Sequence, residues 1–358
     1  MKEIKSIMIK VGIIGGSGYA GGEIIRILSR HENVEIKSVT SRKYADEYLY
    51  RAHPNLRGIT DLKFEELEVD KITKKCDLVF TSMPHGVIAK KMRTFYETGI
   101  RIIDLSADYR LDNPQDYDKW YGYEHPDPEL LKKFVYGVPE IYRDKIRESR
   151  TIASPGCMAV TSILALLPFI KNKVINQDHL VVDSKIGSSG GGNKPNISTH
   201  HSERYGVVRP YKPVSHRHTA EIEQELSLAA NNKVNISMSP HAVNIVRGIL
   251  CTIHAFPIKQ ITTGEVWKML RECYKDELFI RFIKDRKGIH QYPDPKMVIG
   301  SNYCDIGFEI DQFSGRLVIL AATDNLIKGA AGSAVQCMNV MMKYPEIRGL
   351  DSIPLHPV

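Results

Sequence analysis

Ile7-Met8-Ile9-Lys10-Val11-Gly12-Ile13-Ile14, followed at once by Gly15-Gly16-Ser17-Gly18-Tyr19-Ala20-Gly21-Gly22, is the stretch that decides the fold. Its first half is a short, nearly continuous apolar run rich in β-branched residues, the pattern of a strand buried on both faces. Ile24, Ile25, Ile27 and Leu28 then recur at helical spacing. Strand, glycine turn, helix is the context in which a glycine motif carries information, because the turn lets backbone N–H groups approach a pyrophosphate at the helix N-terminus. Two frames fit, Gly16-x-Gly18-x-x-Gly21 and Gly15-x-x-Gly18-x-x-Gly21. Gly15, Ser17, Gly18, Tyr19, Ala20 and Gly21 are therefore candidate contacts to a dinucleotide.

Working outward, Val34 to Thr40 supplies a second strand at βαβ distance, and its end bears on the cofactor. Where an NAD site places an acid for the ribose 2′-hydroxyl, this chain has Ser41-Arg42-Lys43, a hydroxyl and two cations suited to a 2′-phosphate. NADP(H) is expected over NAD. Asp77 to Thr81 and Arg101 to Leu105 read as further core strands, which implies a Rossmann-type, doubly wound parallel sheet. Ligands bind beyond the carboxyl ends of such strands, so Ser82-Met83-Pro84-His85-Gly86 and Ser106-Ala107-Asp108-Tyr109-Arg110 face the site. Pro84 is assigned to the cofactor and Arg110 to the substrate.

At 358 residues the chain exceeds one ordinary core, and 42% hydrophobic with 25% charged content describes a globular protein. No apolar run reaches a membrane span and no signal-peptide pattern opens the chain, so a cytoplasmic location is expected. Six cysteines, at 76, 157, 251, 273, 304 and 337, form no C-x-x-C pair. A net charge of +7 is spread along the chain without the aromatic interleaving of a nucleic-acid groove.

Ser154-Pro155-Gly156-Cys157 places a thiol where the strand former Thr151-Ile152-Ala153 gives way to a long apolar helix, Ala159 to Ile170. A thiol in a first helical turn meets unpaired N–H groups and the positive dipole end, which favours thiolate; those N–H groups also suit an oxyanion. Further on, Leu180 to Ile186 reads as a strand leading into Gly187-Ser188-Ser189-Gly190-Gly191-Gly192, a loop whose amides suit phosphate or a flat cofactor ring, with Ser188 and Gly190 as contacts. His200, His201, His216 and His218 lack an accompanying cysteine or carboxylate set, and no metal is expected. His218 opens a helix with Glu221 one turn on, the arrangement of an acid–base histidine and its orienting carboxylate, with His216 as runner-up. From Ala242 to Phe256 the residues alternate as in a strand, interrupted by Arg247, an arginine on an apolar phase that calls for an anion unless Gly248 bulges the strand. Further strands at Phe279–Ile283, Tyr303–Ile310 and Arg316–Ala322 make the second domain α+β with a mixed or antiparallel sheet. The expected division is 1–156 for the NADP-binding domain, completed by the C-terminal helical segment 329–358, and 157–328 for a catalytic, substrate and oligomerisation domain.

Gly15-x-x-Gly18-Tyr19-Ala20-Gly21, Asp104 to Arg110, Pro155-Gly156-Cys157, His216 to Glu221 and Asp324-Asn325-Leu326 together resemble the N-acetyl-γ-glutamyl-phosphate reductase family. His200 to Arg204, Val207 to Tyr211 and Lys287 to Pro295 make the chain more similar to the branch that reduces an α-aminoadipyl phosphate carried on an acidic amino-group carrier protein, in lysine biosynthesis, with the glutamyl phosphate of arginine biosynthesis as a second substrate. The resemblance implies Cys157 as nucleophile, His218 as acid–base, Ser17 to Ala20 with Ser41 to Lys43 as the NADP site, and Asn325 near the nicotinamide. The carrier protein is the partner this branch implies; Glu221 and Arg247 are assigned to the substrate, and a homo-oligomer, dimer or tetramer, is expected. The chain departs from the family pattern in having Met158 after the cysteine and its threonine at Thr161. Two alternatives stay open: the N-acetylated glutamyl phosphate as substrate, and an NADP-binding regulatory protein without turnover.

Overall fold

Apolar β-formers assemble a six-stranded parallel sheet in a computed structural model that describes residues 8–358; Ile7, at the head of the first expected strand, lies outside them. The strands are β1 (Ile9–Ile14), β2 (Val34–Val39), β3 (Leu78–Thr81), β4 (Arg101–Asp104), β5 (Val135–Tyr136) and β6 (Thr151–Ala153), in the order β2-β1-β3-β4-β6-β5. Val11, Ile13, Ile14 and all of β3 are buried, as a sheet covered on both faces requires. The order reverses between β1 and β3, and the glycine turn follows β1 at that switch point. Helix Gly332–Met341, near the chain's end, belongs to this first unit: Asn339 Oδ1 lies 3.0 Å from His31 Nε2, Gln336 Nε2 donates to Glu140 Oε1 at 3.1 Å, and Arg143 pairs with Glu346 at 2.5 Å.

The first unit comprises residues 8–118, Tyr123–Pro155 and Ala330–Asp351; the second comprises Lys119–Gly122, Gly156–Gly329 and Ser352–Val358. The second carries a mixed seven-stranded sheet of β7 (Leu180–Ile186), β8 (Val208–Pro210), β9 (Ile236–Val243), β10 (Ile249–Ala255), β11 (Ile280–Phe282), β12 (Cys304–Ile310) and β13 (Leu317–Thr323), ordered β11-β12-β13-β10-β7-β9-β8. Every residue from Met158 to Ile170 of helix Cys157–Lys171 is buried, and the helix packs on β10 and β13. Tyr274 Oη, from helix Thr263–Tyr274, donates to Leu164 O at 2.6 Å. On the opposite face of the sheet Asp183, Lys185, Leu250, Thr252, His254, Val318 and Leu320 stay half-buried. The stretch expected to run as one strand from Ala242 to Phe256 is instead two strands joined by a turn. Gly248 adopts φ +110° there, and a Cβ on it would lie 2.6 Å from Pro295 Cβ.

At the end of β4 the Asp104 carboxylate is fully buried and accepts from Thr81 Oγ1 at 2.5 Å, Ser106 Oγ at 2.5 Å and Ser106 N at 3.1 Å. Burial, reinforced by the charge of Asp108, pushes its carboxyl up to about 6 despite these bonds. A carboxyl raised on folding makes the folded state bind the extra proton, so its contribution to stability falls as pH rises from about 4 through 6. Asp104→Asn is expected to gain stability relative to the wild type across that window, by up to about 3 kcal/mol. Denaturant unfolding of both proteins at pH 4.5 and 7 checks this; a pH-independent difference rules it out.

Candidate active site

β6 ends at Ala153, the chain turns through Ser154-Pro155-Gly156, and Cys157 is the first residue of the following helix. Gly156 is the N-cap, with φ −70° and ψ 144°, and offers no side chain to the first-turn amides, which have no intrahelical partner. The Gly156 N–H donates to Glu221 Oε2 at 2.8 Å, and Glu221 is 0% exposed. The carboxylate expected beside the substrate is therefore inside the protein, positioning the backbone that precedes the thiol. Its other oxygen lies 4.0 Å from His218 Nε2. A Cβ on Gly156 would come within 2.5 Å of His218 Nε2 and 2.7 Å of Glu221 Oε1, so only glycine lets the imidazole approach. Gly329 crowds the other side: a Cβ there would lie 2.6 Å from Cys157 Cβ. Thr161 donates to Cys157 O at 2.9 Å and lies 2.7 Å from Thr323 Oγ1, so the threonine that departs from the family pattern faces inward.

His218, first residue of helix His218–Ala230, is the imidazole beside Gly156. His216 meets it edge to face, 4.9 Å between ring centroids, and its Nδ1 accepts the His218 N–H at 3.2 Å. Burial, with Arg217 and Lys212 adding to it, pushes His216 down to about 4. His216 thus supports His218 from its Nδ1, and His218 is the imidazole set against Gly156.

Several side chains expected to meet ligands have partners within the protein. Arg110 is buried, its Nε donating to Ser154 O at 2.7 Å and Nη2 to Leu105 O at 2.9 Å, so it braces the strand end ahead of Pro155. Asn325, assigned to the nicotinamide, accepts from Gly248 N at 2.8 Å and donates to Ser189 Oγ at 2.9 Å. Arg247 occupies the β9–β10 turn rather than a strand phase, and the anion it meets is buried Asp324, at 3.0 Å. The glycine loop is likewise not an open nest. The amides of Gly187, Ser188 and Ser189 donate to Gly248 O, Ile245 O and Val246 O, and that of Gly190 to Gly187 O, because the loop packs against the β9–β10 turn. Among the described residues no group of three or more His, Cys, Asp or Glu is arranged to hold a metal ion.

In the first unit each glycine of the turn meets a different constraint. Gly15 adopts φ +79°, and a Cβ there would meet Ser82 O at 2.6 Å; a Cβ on Gly21 would meet Gly16 Cα at 2.7 Å; one on Gly18 finds nothing nearer than 3.9 Å. Tight turn, open approach and close helix packing fall on Gly15, Gly18 and Gly21 in that order, while a Cβ on Gly16 would lie 2.3 Å from Val39 Cγ1, so both frames need their glycines. Gly18 is the N-cap of helix Tyr19–Leu28 and has no side-chain cap, leaving space above the turn. Ser41 Oγ donates to Ser17 Oγ at 2.9 Å, while Arg42, Lys43 and Pro84 are exposed. These features fit a dinucleotide, with the pyrophosphate on the turn and cations at the end of β2. Two supports escaped the sequence reading. His53 Nε2–H donates to Gly16 O at 2.8 Å with its ring against Gly22, and Asp108 accepts from Gly86 N at 2.8 Å and Tyr123 Oη at 2.6 Å. No local pattern marks His53, which meets the turn only in three dimensions; Asp108 joins the two site-facing loops through Gly86 and ties both to Tyr123, a link that spacing does not show.

Comparison with known proteins agrees with this arrangement. Residues 10–149 match the family model described as semialdehyde dehydrogenase, NAD binding domain, and residues 157–325 the one described as semialdehyde dehydrogenase, dimerisation domain. The fold is shared with aspartate semialdehyde dehydrogenase II of Vibrio cholerae complexed with ASA (TM-score 0.71, 17% identity, 94% of this chain and 99% of that one). It is shared too with aspartate semialdehyde dehydrogenase with NADP from Candida albicans (TM-score 0.67, 18% identity, 93% and 98%). Among curated relatives, a putative LysW-L-2-aminoadipate/LysW-L-glutamate phosphate reductase of Nitrosopumilus maritimus is 57% identical over 350 residues, covering 98% of this chain and all of that one. The LysW-L-2-aminoadipate/LysW-L-glutamate phosphate reductase of Saccharolobus solfataricus is 46% identical over 349 residues, 98% and 99% of the two chains. With that identity along nearly its whole length, the chain belongs to the LysW-L-2-aminoadipate/LysW-L-glutamate phosphate reductase family, on a semialdehyde dehydrogenase fold.

Proposed function

We propose that this protein reduces a carrier-linked acyl phosphate, LysW-bound 2-aminoadipyl or glutamyl phosphate, to its semialdehyde with release of phosphate, through a thioester on Cys157. The observation that carries this reading is the seating of Cys157 at the first position of a helix, with the preceding N–H held by Glu221 and His218 alongside. His218 accepts the thiol proton, and Sγ attacks the acyl carbon. The carbon–oxygen bond to phosphate breaks, its electron pair leaves on the phosphate oxygen, and the thioester remains. When bound, NADPH supplies the hydride that takes the thioester carbon to the aldehyde level. First-turn N–H groups stabilise the oxyanion of each tetrahedral stage, and His218 holds the proton for that oxygen until the thiolate departs.

Ser41, Arg42 and Lys43 in place of an acid after β2 support NADP(H) as the cofactor. The relatives' names support a carrier-linked substrate over an N-acetylated one, and the net charge of +7 suits an acidic carrier. The half-buried face of the second sheet, in the segment matching a dimerisation domain, supports a homo-oligomer. No helix among the described residues is long and apolar enough to cross a membrane, and we place the enzyme in the cytoplasm.

Three variants test the reading. Cys157→Ser should lose acyl-phosphate reduction by at least about a thousand-fold and yield no acyl adduct by mass spectrometry; near-normal turnover would exclude covalent catalysis. Arg42→Ala with Lys43→Ala should raise KM for NADPH about ten- to a hundred-fold and leave NADH within two-fold, whereas equal losses would remove the 2′-phosphate contact. Gly329→Ala should push on Cys157 Cβ and cut kcat by about a hundred-fold with the NADPH dissociation constant unchanged; unchanged kcat would show that the thiol tolerates displacement.

A further inference from the structure

Two imidazoles connect Tyr211 to the thiol cluster. Tyr211 and His216 meet edge to face, 5.9 Å between centroids and 80° between planes, and His216 meets His218 likewise at 4.9 Å and 74°. The His218 backbone N–H donates to His216 Nδ1. A backbone amide is always a donor, so Nδ1 presents its lone pair. His216, pushed down to about 4, is neutral at physiological pH, and a neutral imidazole carries one hydrogen, which therefore sits on Nε2. Nε2 lies 3.5 Å from Tyr211 Oη, a long contact in which the phenol oxygen accepts. The hydroxyl hydrogen of Tyr211 is thus turned away from His216 and offered to another acceptor. Burial of the hydroxyl end, with the charge at Cys157, holds the phenol well above its usual range and keeps that hydrogen in place. The residue as a whole is still 45% exposed, so one side of it is open.

We propose that Tyr211 is a substrate-contacting hydrogen-bond donor, its hydroxyl aimed by the Nε2–H tautomer of His216 at a phosphoryl oxygen of the acyl phosphate attacked by Cys157. The inference rests on the acyl-phosphate reading above. Charge selects the phosphoryl end over the carbonyl: Arg217 and Arg204 act on Tyr211, and Arg217 and Lys212 on His216, a cationic setting for a phosphate dianion. The carbonyl oxygen already has the first-turn amides. As the bond between acyl carbon and phosphate oxygen breaks, the donor meets the charge gathering on the departing phosphate, and in reverse the same contact binds inorganic phosphate.

The test runs the reaction backwards, with carrier-linked semialdehyde, NADP and inorganic phosphate, and compares Tyr211→Phe with the wild type. KM for phosphate should rise at least ten-fold, KM for the semialdehyde should hold within two-fold, and the nitrophenolate burst from acylation of Cys157 by p-nitrophenyl acetate should be unchanged. His216→Gln, which keeps an N–H donor near Nε2, should stay closer to wild type than His216→Phe. An unchanged phosphate KM in Tyr211→Phe overturns the proposal. So does a burst slowed as much as phosphorolysis, which would put the hydroxyl at the carbonyl or the thiol. Absence of phosphate-dependent NADP reduction in the wild type itself would overturn the acyl-phosphate reading, an outcome separate from any effect of the variants.

Discussion

One hydrogen bond, from the Gly156 N–H to the fully buried carboxylate of Glu221, ties together the two helix starts that carry Cys157 and His218. A carboxylate out of water is costly unless its oxygens are engaged, so the bond has a strong preference for being made. Its two ends belong to the starts of two helices, Gly156 capping Cys157–Lys171 and Glu221 one turn into His218–Ala230. Burial of almost the whole first helix prevents it from sliding to relieve a poor fit, since packed interiors transmit strain rather than absorb it. The Cys157 thiol and the His218 imidazole therefore inherit a fixed separation from the packing of the helices that carry them.

Close approach is achieved with glycine in both units. Gly156 admits the His218 ring, Gly329 admits the side chain of Cys157, and in the cofactor turn Gly21 admits Gly16. At each of these a single methyl group would fall within 2.7 Å of a heavy atom, a distance real side chains do not tolerate. Gly18 differs, because the room beside it is empty. Its lack of a side chain leaves open space above the turn, whereas the others serve close packing of the protein.

What the sequence made legible was local. The strand, glycine turn and helix at β1, the thiol at a strand-to-helix turn and the histidine with its carboxylate one helical turn later all follow from spacing alone. Partners distant in the chain were not legible. Arg110 and Asn325 carry groups that suit ligands, and in sequence nothing distinguishes that use from bracing Ser154 O or joining Ser189 to Gly248. Arg247 lies off the expected strand for a related reason: alternation across residues 242–256 resembles one strand, because β9 and β10, two strands of one sheet with β7 between them, keep the same period on either side of a turn. The glycine loop at 187–192 read as a phosphate nest since composition cannot show that its amides already face the carbonyls of 245, 246 and 248.

The same partition bears on substrate range. Glu221, His216, His218, Ser189 and Asn325 are all buried, and Cys157 half-buried, so the cluster presents a reacting centre and little else. Aminoadipyl and glutamyl phosphates are identical there and differ by one methylene further along. A close-fitting apolar pocket would discriminate that methylene by only about 1–3 kcal/mol, and a loose one by less. Under the proposed activity, accepting both chains requires no second chemistry, only that the surface beyond the thiol not close around the acyl chain. The segment from Ile197 to Val214 has that character: Ile197, Tyr205, Val208 and Val214 stand in solvent, and it leads directly into Ser215 and His216. Rigidity at the thiol and openness in the segment that leads to it are two requirements of one task, with selectivity assigned to whatever the substrate's far end is attached to.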